Sequence, residues 1–484
     1  MVYNLTGLSW TSGLTGGIST LCGQVYGAGK YGSVGVIFQR ALIICLLCGL
    51  PAYLSWLWAA NLFTLLGQTT AVATLAAGYL HRVAPCMALG TAESCIRSYF
   101  FAQGNVTFVS VTTLVGIIAS PWLNWYFISG LGWGLYGKAW AQVVEGGAAV
   151  ILLAGAMVYQ TWRTPPELRT WSGWDRAAFK GWGEYLKVSL PATAMVCVDW
   201  WALEVLTLMS GIGANTEAEV AATGALYSMF LISYNAVDGF SSAASTRIGH
   251  MLGAGRASAA RRAAAVSFAA AMALTLLISI GTVVGAPLWI PAFSANDPLV
   301  HALIVSTLPY TIFASMGYAA YTALTGVLSG AGRQGLGTVV SVTTVWGVGV
   351  PVAALTVLGL GWGIQGQWLG CALAYGLQGI ALLWCIFARW DWSEEVRRAA
   401  SAVSLHSMAD EDSISEGDCE TAQCNASVPT SHSSSPSHTS TDSEDDKELL
   451  DEEEVVDEET PCLRMRGRPD RPSERGYGGE KEKP

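Results

Sequence analysis

The sequence predicts an all-α polytopic membrane protein made of two related helical lobes, on the strength of three observations. Hydrophobic residues make up 52% of the 484 residues and charged residues only 13%, against about 25% charged in a typical soluble domain. The apolar residues gather in runs of the length that a helix needs to cross a bilayer, roughly 20 residues. Three short motifs occur twice, in the same order and at nearly one offset, which indicates an internal duplication.

Eleven apolar segments are candidate transmembrane helices. They are too long, and alternate too little with period two, to be barrel strands. Gly, Ser and Thr are common inside them, as close helix packing in lipid favours. The segments are residues 2–26, 36–60, 71–96, 105–128, 136–160, 184–210, 219–243, 262–290, 299–326, 336–358 and 364–388.

The duplication relates the two halves of this helical region. The longest motif, S-T-x-x-G-x-x-x-G-A-G followed by Lys or Arg, occupies residues 19–30 and returns 226 positions later at 245–256. The other two are V-S-V-T-T at 109–113 and 340–344, and L-G-W-G-x-x-G at 131–137 and 360–366. The first half has one helix fewer before its motif, so we expect 5 + 6 helices where a complete repeat would give 6 + 6. Parallel repeats of this kind are typical of secondary transporters, with the substrate site between the halves.

Charge divides the chain further. Residues 1–390 hold 16 Lys and Arg against 11 Asp and Glu, whereas the remainder holds 10 against 25. We therefore expect an N-terminal lobe at 1–160 that lacks the first helix, an inter-lobe loop at 161–183 and a C-terminal lobe at 184–390. An acidic, disordered tail is expected at 391–484.

Basic residues alternate between the connections, which predicts the orientation. Every second connection is basic, whereas those around 61–70, 124–135, 211–218 and 291–298 contain no Lys or Arg. By the positive-inside rule the basic connections and the tail are cytoplasmic. The chain is thus expected to be a multi-pass protein of the plasma membrane or of a vacuolar or vesicular membrane.

Asp199 and Glu204 are the most informative side chains, because both lie inside the apolar segment 184–210. An ionised carboxylate at the centre of a bilayer costs about 2.5–3.5 kcal/mol on insertion scales, so such groups are usually functional. A spacing of five turns the two about 140° apart on a helix, which predicts that they face different surroundings. Either could carry a proton, and an ionised carboxylate attracts organic cations or sodium.

Other chemistries are excluded or unsupported by motif. Residues 23–30 fail the phosphate-loop pattern, since Gln24 stands where its first Gly belongs and Tyr31 follows the Lys. Gly27, Gly29, Gly253 and Gly255 instead indicate helix ends and tight turns. None of the histidines joins a metal or nucleophile cluster, so we expect no cofactor, no metal and no enzymatic activity. No nucleotide or nucleic-acid partner is expected either.

The motifs together resemble the multidrug and toxic compound extrusion (MATE) family. The segments that carry the resemblance are C-G-Q-V-Y-G-A-G at 22–29 with Q-R-A at 39–41, residues 239–255, and residues 324–334 with Pro351. The resemblance implies two six-helix lobes and alternating access. Asp199 and Glu204 match acidic positions of the seventh helix of eukaryotic members. Ser228 and Tyr318 stand where some members have carboxylates.

The leading hypothesis is an antiporter that exports organic cations, xenobiotics or phenolic metabolites in exchange for protons. Trp201, Tyr227 and Tyr318 are candidate cavity residues, through stacking or cation–π contacts. The expected partners are a small organic substrate, the lipid bilayer, and a proton or sodium as coupling ion. Two alternatives stay open: a lipid-type flippase of related build, and an inactive, truncated membrane protein that acts through its tail.

Overall fold

All eleven predicted segments are helical in the computed structural model, which describes residues 3–65, 69–209, 216–294 and 297–404. No strand occurs in those ranges. A π-helical turn, Tyr3–Leu8, precedes the first helix. The helices are α1 (Ser9–Gly27), α2 (Tyr31–Trp56), α3 (Ala59–Leu65), α4 (Thr70–Ala102), α5 (Thr107–Gly130), α6 (Gly134–Arg163), α7 (Trp182–Met209), α8 (Thr216–Gly253), α9 (Ala257–Val284), α10 (Ala286–Ser294), α11 (Pro298–Ala331), α12 (Gln334–Gly359), α13 (Ile364–Arg389) and α14 (residues 392–404).

Among the described residues, nine helices are long and apolar enough to cross a membrane. The two predicted segments outside that group are α1 and α4. Helix α1 is rich in Gly, Ser and Thr, and α4 carries Arg82, Glu93 and Arg97. Both are packed among other helices, with much of their length buried. The nine apolar helices and these two make up the predicted set of eleven.

Three helices end in the same way, because each is followed by a glycine in the left-handed conformation. Gly29, Gly255 and Gly332 have φ angles of 78°, 77° and 73°, which only glycine adopts at little cost. A basic residue follows each of them in sequence: Lys30, Arg256 or Arg333. We call this end of the bundle the basic end.

The apolar core forms two main clusters that follow the two halves of the chain. The first contains Leu14, Ile18 and Phe38, and the second contains Leu226, Phe230 and Trp368. Helix α7 joins them: Tyr185 near its start lies in the first cluster, whereas Met195 and Leu206 lie in the second. Helix α7 therefore runs along the interface between the lobes.

The loop that connects the lobes is docked on α2. It contains two short 3₁₀ turns, Pro166–Leu168 and Arg176–Phe179. The Gln39 amide donates to the Gly173 carbonyl at 2.6 Å, and the Arg40 guanidinium donates to the Ala177 carbonyl at 3.2 Å. Arg40, inside α2, is only 1% exposed, so the docked loop helps to cover its charge.

The first part of the predicted disordered tail is ordered instead, because residues 392–404 form helix α14. Asp391 caps the helix by accepting a hydrogen bond from the Ser393 amide at 2.9 Å. Trp392 and Ala399 pack into the C-terminal cluster, and Val403 into the N-terminal one. The apolar face of α14 therefore touches both lobes. The rest of the predicted tail, 405–484, lies outside the described residues.

Candidate functional site

Helices α1 and α7 approach each other closely enough to fix the position of the acidic residues on α7. A Cβ atom on Gly13 would lie 2.3 Å from the Thr193 Cα, so only glycine fits there. The Tyr185 hydroxyl donates to the Leu14 carbonyl at 2.6 Å. Pro191 lies inside α7, and its carbonyl accepts a hydrogen bond from Thr338 of α12 at 3.0 Å. The helix is thus held on both sides.

Asp199 lies inside the C-terminal lobe and is 4% exposed. Its carboxylate accepts hydrogen bonds from the Tyr321 hydroxyl and from the Gln378 amide, the latter at 3.2 Å. Gln378 also donates to the Ser341 hydroxyl at 2.6 Å, which in turn lies 3.3 Å from the Tyr321 hydroxyl. Four helices, α7, α11, α12 and α13, therefore contribute to one polar cluster.

This cluster surrounds a carboxylate with neutral groups. Within the described residues, no Lys, Arg or His forms an ion pair with Asp199. Hydrogen bonds from Tyr321 and Gln378 stabilise the ionised form, whereas burial in a low-dielectric interior disfavours it. Both carboxylate oxygens accept a hydrogen bond, so a proton on Asp199 would require the Tyr321 hydroxyl to accept instead of donate, with the Ser341 hydroxyl 3.3 Å away as an alternative acceptor.

Glu204 faces a different space, as the spacing predicted. It lines a cavity of about 360 Å³ between the lobes. Asn4, at the start of the chain, donates its side-chain amide to Glu204 at 3.3 Å. Asn4 and Leu8 form the N-terminal side of the cavity, and α7, α8 and α11 form the other side.

Five of the eleven residues that line the cavity are aromatic. Tyr227, Phe230, Tyr234 and Tyr318 all line it. The ring of Tyr318 lies 5.5 Å from that of Tyr234 and 5.2 Å from that of Phe230, measured between centroids. None of the lining residues in the described part of the chain is Lys or Arg. The surface suits a flat or cationic organic molecule.

Tyr318 connects the cavity to the buried acid. Its ring centroid lies 5.9 Å from that of Tyr321, one helical turn away on α11. Tyr321 in turn donates to Asp199. The two acidic residues thus lie on either side of an aromatic wall: Glu204 in the cavity and Asp199 behind it.

The structure brings together Glu204, Tyr227 and Tyr318, three of the five residues selected from the sequence, with Asp199 behind Tyr318. Trp201 is placed elsewhere: it is 42% exposed, and its indole donates to the Leu5 carbonyl at 3.2 Å. Its neighbour Trp200 lines the cavity instead. Trp200 lies four positions before Glu204, and residues four apart share a helix face, so the spacing alone favoured Trp200.

Sequence reasoning missed most of the partners of Asp199. Gln378 was detectable in principle, since it stands in the middle of the apolar segment 364–388, whereas the other two amides of that segment, Gln365 and Gln367, lie at its start. Tyr321 stands three residues after Tyr318, so the two share a face of one helix. Nothing in the sequence shows that Ser341 of α12 meets both of them.

Comparisons with known proteins agree with this architecture. A family model described as MatE matches residues 1–126 and again 191–355, once in each half of the chain. Protein DETOXIFICATION 49 of Arabidopsis thaliana is 30% identical over 413 residues, which is 84% of this chain and 80% of that protein. Multidrug and toxin extrusion protein 2 of Mus musculus is 29% identical over 411 residues, 84% of this chain and 70% of that protein.

Solved structures share the fold. The crystal structure of the eukaryotic MATE transporter AtDTX14 superposes with a TM-score of 0.76 at 26% identity, covering 83% of this chain and 88% of that chain. A MATE family transporter described in an outward-facing conformation gives a TM-score of 0.70 at 16% identity, with 82% and 86% covered. The resemblance seen in the sequence is confirmed: this multi-pass integral membrane protein belongs to the MATE family of multidrug and toxin extrusion transporters.

Proposed function

We propose that this MATE transporter exports organic cations, xenobiotics or phenolic metabolites in exchange for protons. The observation that carries the proposal is the arrangement of two acids around one inter-lobe cavity. Glu204 lines the cavity, whereas Asp199 lies behind Tyr318 and Tyr321 with neutral hydrogen-bond partners only. A substrate and a proton can therefore occupy adjacent places in the same lobe.

The exchange arises because a cationic substrate and a proton compete for the same carboxylates. An ionised Glu204 attracts a cation into the cavity, where Tyr227, Phe230 and Tyr318 offer their ring faces. Protonation of either acid removes that attraction and releases the substrate. Loss of the proton on the other side of the membrane restores the site. We propose that the lobes at 1–160 and 184–390 alternate in access by moving against each other, with the basic end cytoplasmic.

The cavity wall bears on the flippase alternative, and the polar cluster around Asp199 bears on sodium coupling. A flippase that moves lipids with anionic headgroups needs cationic side chains in its cavity, and among the described lining residues there is none. Sodium coupling would need several oxygen ligands at one position. The amide nitrogen of Gln378 and the hydroxyl of Tyr321 both donate to Asp199, so this arrangement offers a sodium ion few free oxygen atoms beside that carboxylate.

Transport by purified protein in proteoliposomes tests the proposal. Uptake of ethidium and of radiolabelled tetraethylammonium is measured under a pH gradient and, separately, under a sodium gradient of equal size. We expect the pH gradient alone to drive uptake, and Asp199→Asn and Glu204→Gln each to reduce the initial rate at least tenfold.

The matched control is Glu93→Gln, which removes an acid of α4 that only pairs with Arg97 one turn away at 3.4 Å. It is expected to transport normally. Unchanged rates in both Asp199→Asn and Glu204→Gln would overturn the assignment of the acids. Uptake that follows the sodium gradient would overturn proton coupling.

A further inference from the structure

The repeated motif builds the same contact twice across the interface between the lobes, at the basic end. We propose that these two contacts form a two-fold latch that holds this end closed and that must open as a unit for substrate to enter. The latch consists of Thr20 and Gln24 in one copy of the motif and Thr246 and His250 in the other. The inference rests on alternating access as proposed above, but its test needs neither substrate nor an ion gradient.

The first contact joins α1 to the end of α11. The Thr20 hydroxyl donates to the Ser329 carbonyl at 2.5 Å, and the Gln24 amide donates to the Gly330 carbonyl at 3.0 Å. Both donors are buried, at 1% and 3% exposure. The carbonyls of a last helical turn have no partners within their helix. The Gly332 amide donates to the Ser329 carbonyl at 3.3 Å just beyond the helix, and the Thr20 and Gln24 side chains add donors from the other lobe.

The second contact repeats the first with the lobes exchanged. The Thr246 hydroxyl donates to the Phe101 carbonyl at 3.0 Å, and the His250 ring donates to the Ala102 carbonyl at 2.7 Å. Phe101 and Ala102 end α4 as Ser329 and Gly330 end α11. The His250 ring also stacks on Tyr26 of α1, with centroids 5.1 Å apart.

The register shows that the two contacts are copies. Thr246 and His250 follow Thr20 and Gln24 by 226 positions, and each of the two acceptor carbonyls is displaced by 228. In both copies the threonine donates to the first of two adjacent carbonyls, and the side chain four positions later donates to the second. Chance contacts between lobes would not keep this order, so the pairing comes from the duplication and reflects a two-fold relation.

Glycines of the same motif bring the backbones together between the two contacts. A Cβ on Gly253 would lie 2.1 Å from the Gln24 carbonyl oxygen, and one on Gly27 would lie 2.4 Å from that of His250. Gly23 and Gly249 face each other, since a Cβ on Gly249 would lie 3.3 Å from the Gly23 carbonyl carbon. Gly27 and Gly253 are the last residues of α1 and α8, as predicted, and they also allow this close crossing of the two helices.

Opening the basic end breaks all four hydrogen bonds together, because every one of them joins an N-terminal helix to a C-terminal helix. Neither contact can open by itself, because the other contact still holds the crossing of α1 and α8. Removal of one donor therefore weakens the closed state as a whole. We expect the open population to rise by about fivefold for each bond lost, which corresponds to a net ~1 kcal/mol per hydrogen bond.

Hydrogen–deuterium exchange of the purified full-length protein tests the latch. Thr20→Val and Thr246→Val remove one hydroxyl each and keep the side-chain shape. We expect each variant to speed exchange in peptides from both contacts, around 19–29 and 245–255, although its own bond lies in only one of them. Thr20→Ser and Thr246→Ser retain the hydroxyl and are expected to restore slow exchange.

Thr275→Val is the matched control. Thr275 is a fully buried threonine of α9 whose hydroxyl donates only within its own helix, to Ala271 at 2.9 Å. It should leave exchange at the basic end unchanged. Faster exchange confined to the mutated contact would overturn the latch, as would an effect no larger than that of Thr275→Val. Gln24→Leu and His250→Leu provide a second pair if either valine variant does not fold.

Discussion

The interface between the lobes differs sharply at its two ends. At the basic end α1 and α8 cross in direct backbone contact at Gly27 and Gly253, and side-chain hydrogen bonds close both flanks. At the other end Asn4 and Leu8 face the C-terminal lobe across a cavity of about 360 Å³, where the Asn4 amide reaches Glu204.

The same pair of lobes thus makes a tight seal at one end and an open site at the other. This difference is what an alternating-access transporter needs in one of its two states. It also separates the residues by role. Under the proposals above, residues of the sealed end control the movement, whereas residues of the cavity control what is carried. Each substitution described below alters either the sealed end or the cavity.

The largest expected effect comes from breaking the sealed end. In Gly253→Ala the new methyl group would overlap the Gln24 carbonyl, and overpacking of this kind typically costs 1–3 kcal/mol. Because the overlap exists only when the basic end is closed, the closed state is penalised selectively. We expect the initial rate of uptake in proteoliposomes to fall at least tenfold, with faster amide exchange around 245–255.

Gly239→Ala is its control in the same helix, since a Cβ there has no atom within 4 Å. This substitution should leave both readouts near wild type and, if anything, favour the helix slightly. Equal behaviour of the two alanine variants would remove the close crossing from the explanation of the seal.

A smaller effect is expected from filling the open end. In Leu8→Trp a large ring would occupy part of the space beside Glu204 and Tyr227. We expect a severalfold lower uptake of ethidium and a smaller loss for tetraethylammonium, because the larger cation needs more of the cavity. Initial rates for the two substrates, measured in the same vesicles, give the ratio that checks this.

Leu47→Trp is the matched control, as Leu47 is 46% exposed on α2 and does not line the cavity. It is expected to leave the ratio of the two rates unchanged. If Leu8→Trp lowered both rates by the same factor, the cavity would not be selecting substrates by size.

The sequence predicted the helices and motifs at the two ends of the interface, but it did not predict the contacts between them. The helices, the duplication and the family follow from apolar runs and repeated motifs, because these patterns depend on neighbours along the chain. The glycines of residues 19–30 and 245–256 were visible as motifs, but their contact across the lobes was not. Which side chains of distant helices meet is a matter of packing, and a single chain records no pairing between them.

The site shows the same limit. Asp199 and Glu204 were found because charge in an apolar segment is conspicuous, and the angle between them followed from helix geometry. Ser341 was visible only as part of the repeated V-S-V-T-T motif at 340–344, which does not show that its side chain meets Gln378 and Tyr321. Helix α14 was missed because charged residues surround it, although Trp392, Val396, Ala399 and Val403 recur at helical spacing.

The smallest expected effect concerns the contact that ties α14 to the basic end. Glu395 is 3% exposed and accepts three hydrogen bonds from Arg333, the shortest at 2.7 Å. Glu395→Gln leaves the Arg333 charge without its partner, and hydrogen bonds to charged groups contribute about 1.5–3 kcal/mol.

We expect Glu395→Gln to lower the melting temperature by a few degrees and to speed exchange around 245–255 modestly, since α14 packs on both lobes. Glu394→Gln is the control on the same helix: Glu394 pairs with Arg398 at 2.5 Å, but both side chains are about half exposed, and such solvent-screened pairs contribute little to stability. A lower melting temperature without faster exchange would show that α14 stabilises the C-terminal lobe alone. Changes in both would add α14 to the sealed end and sharpen the contrast with the cavity.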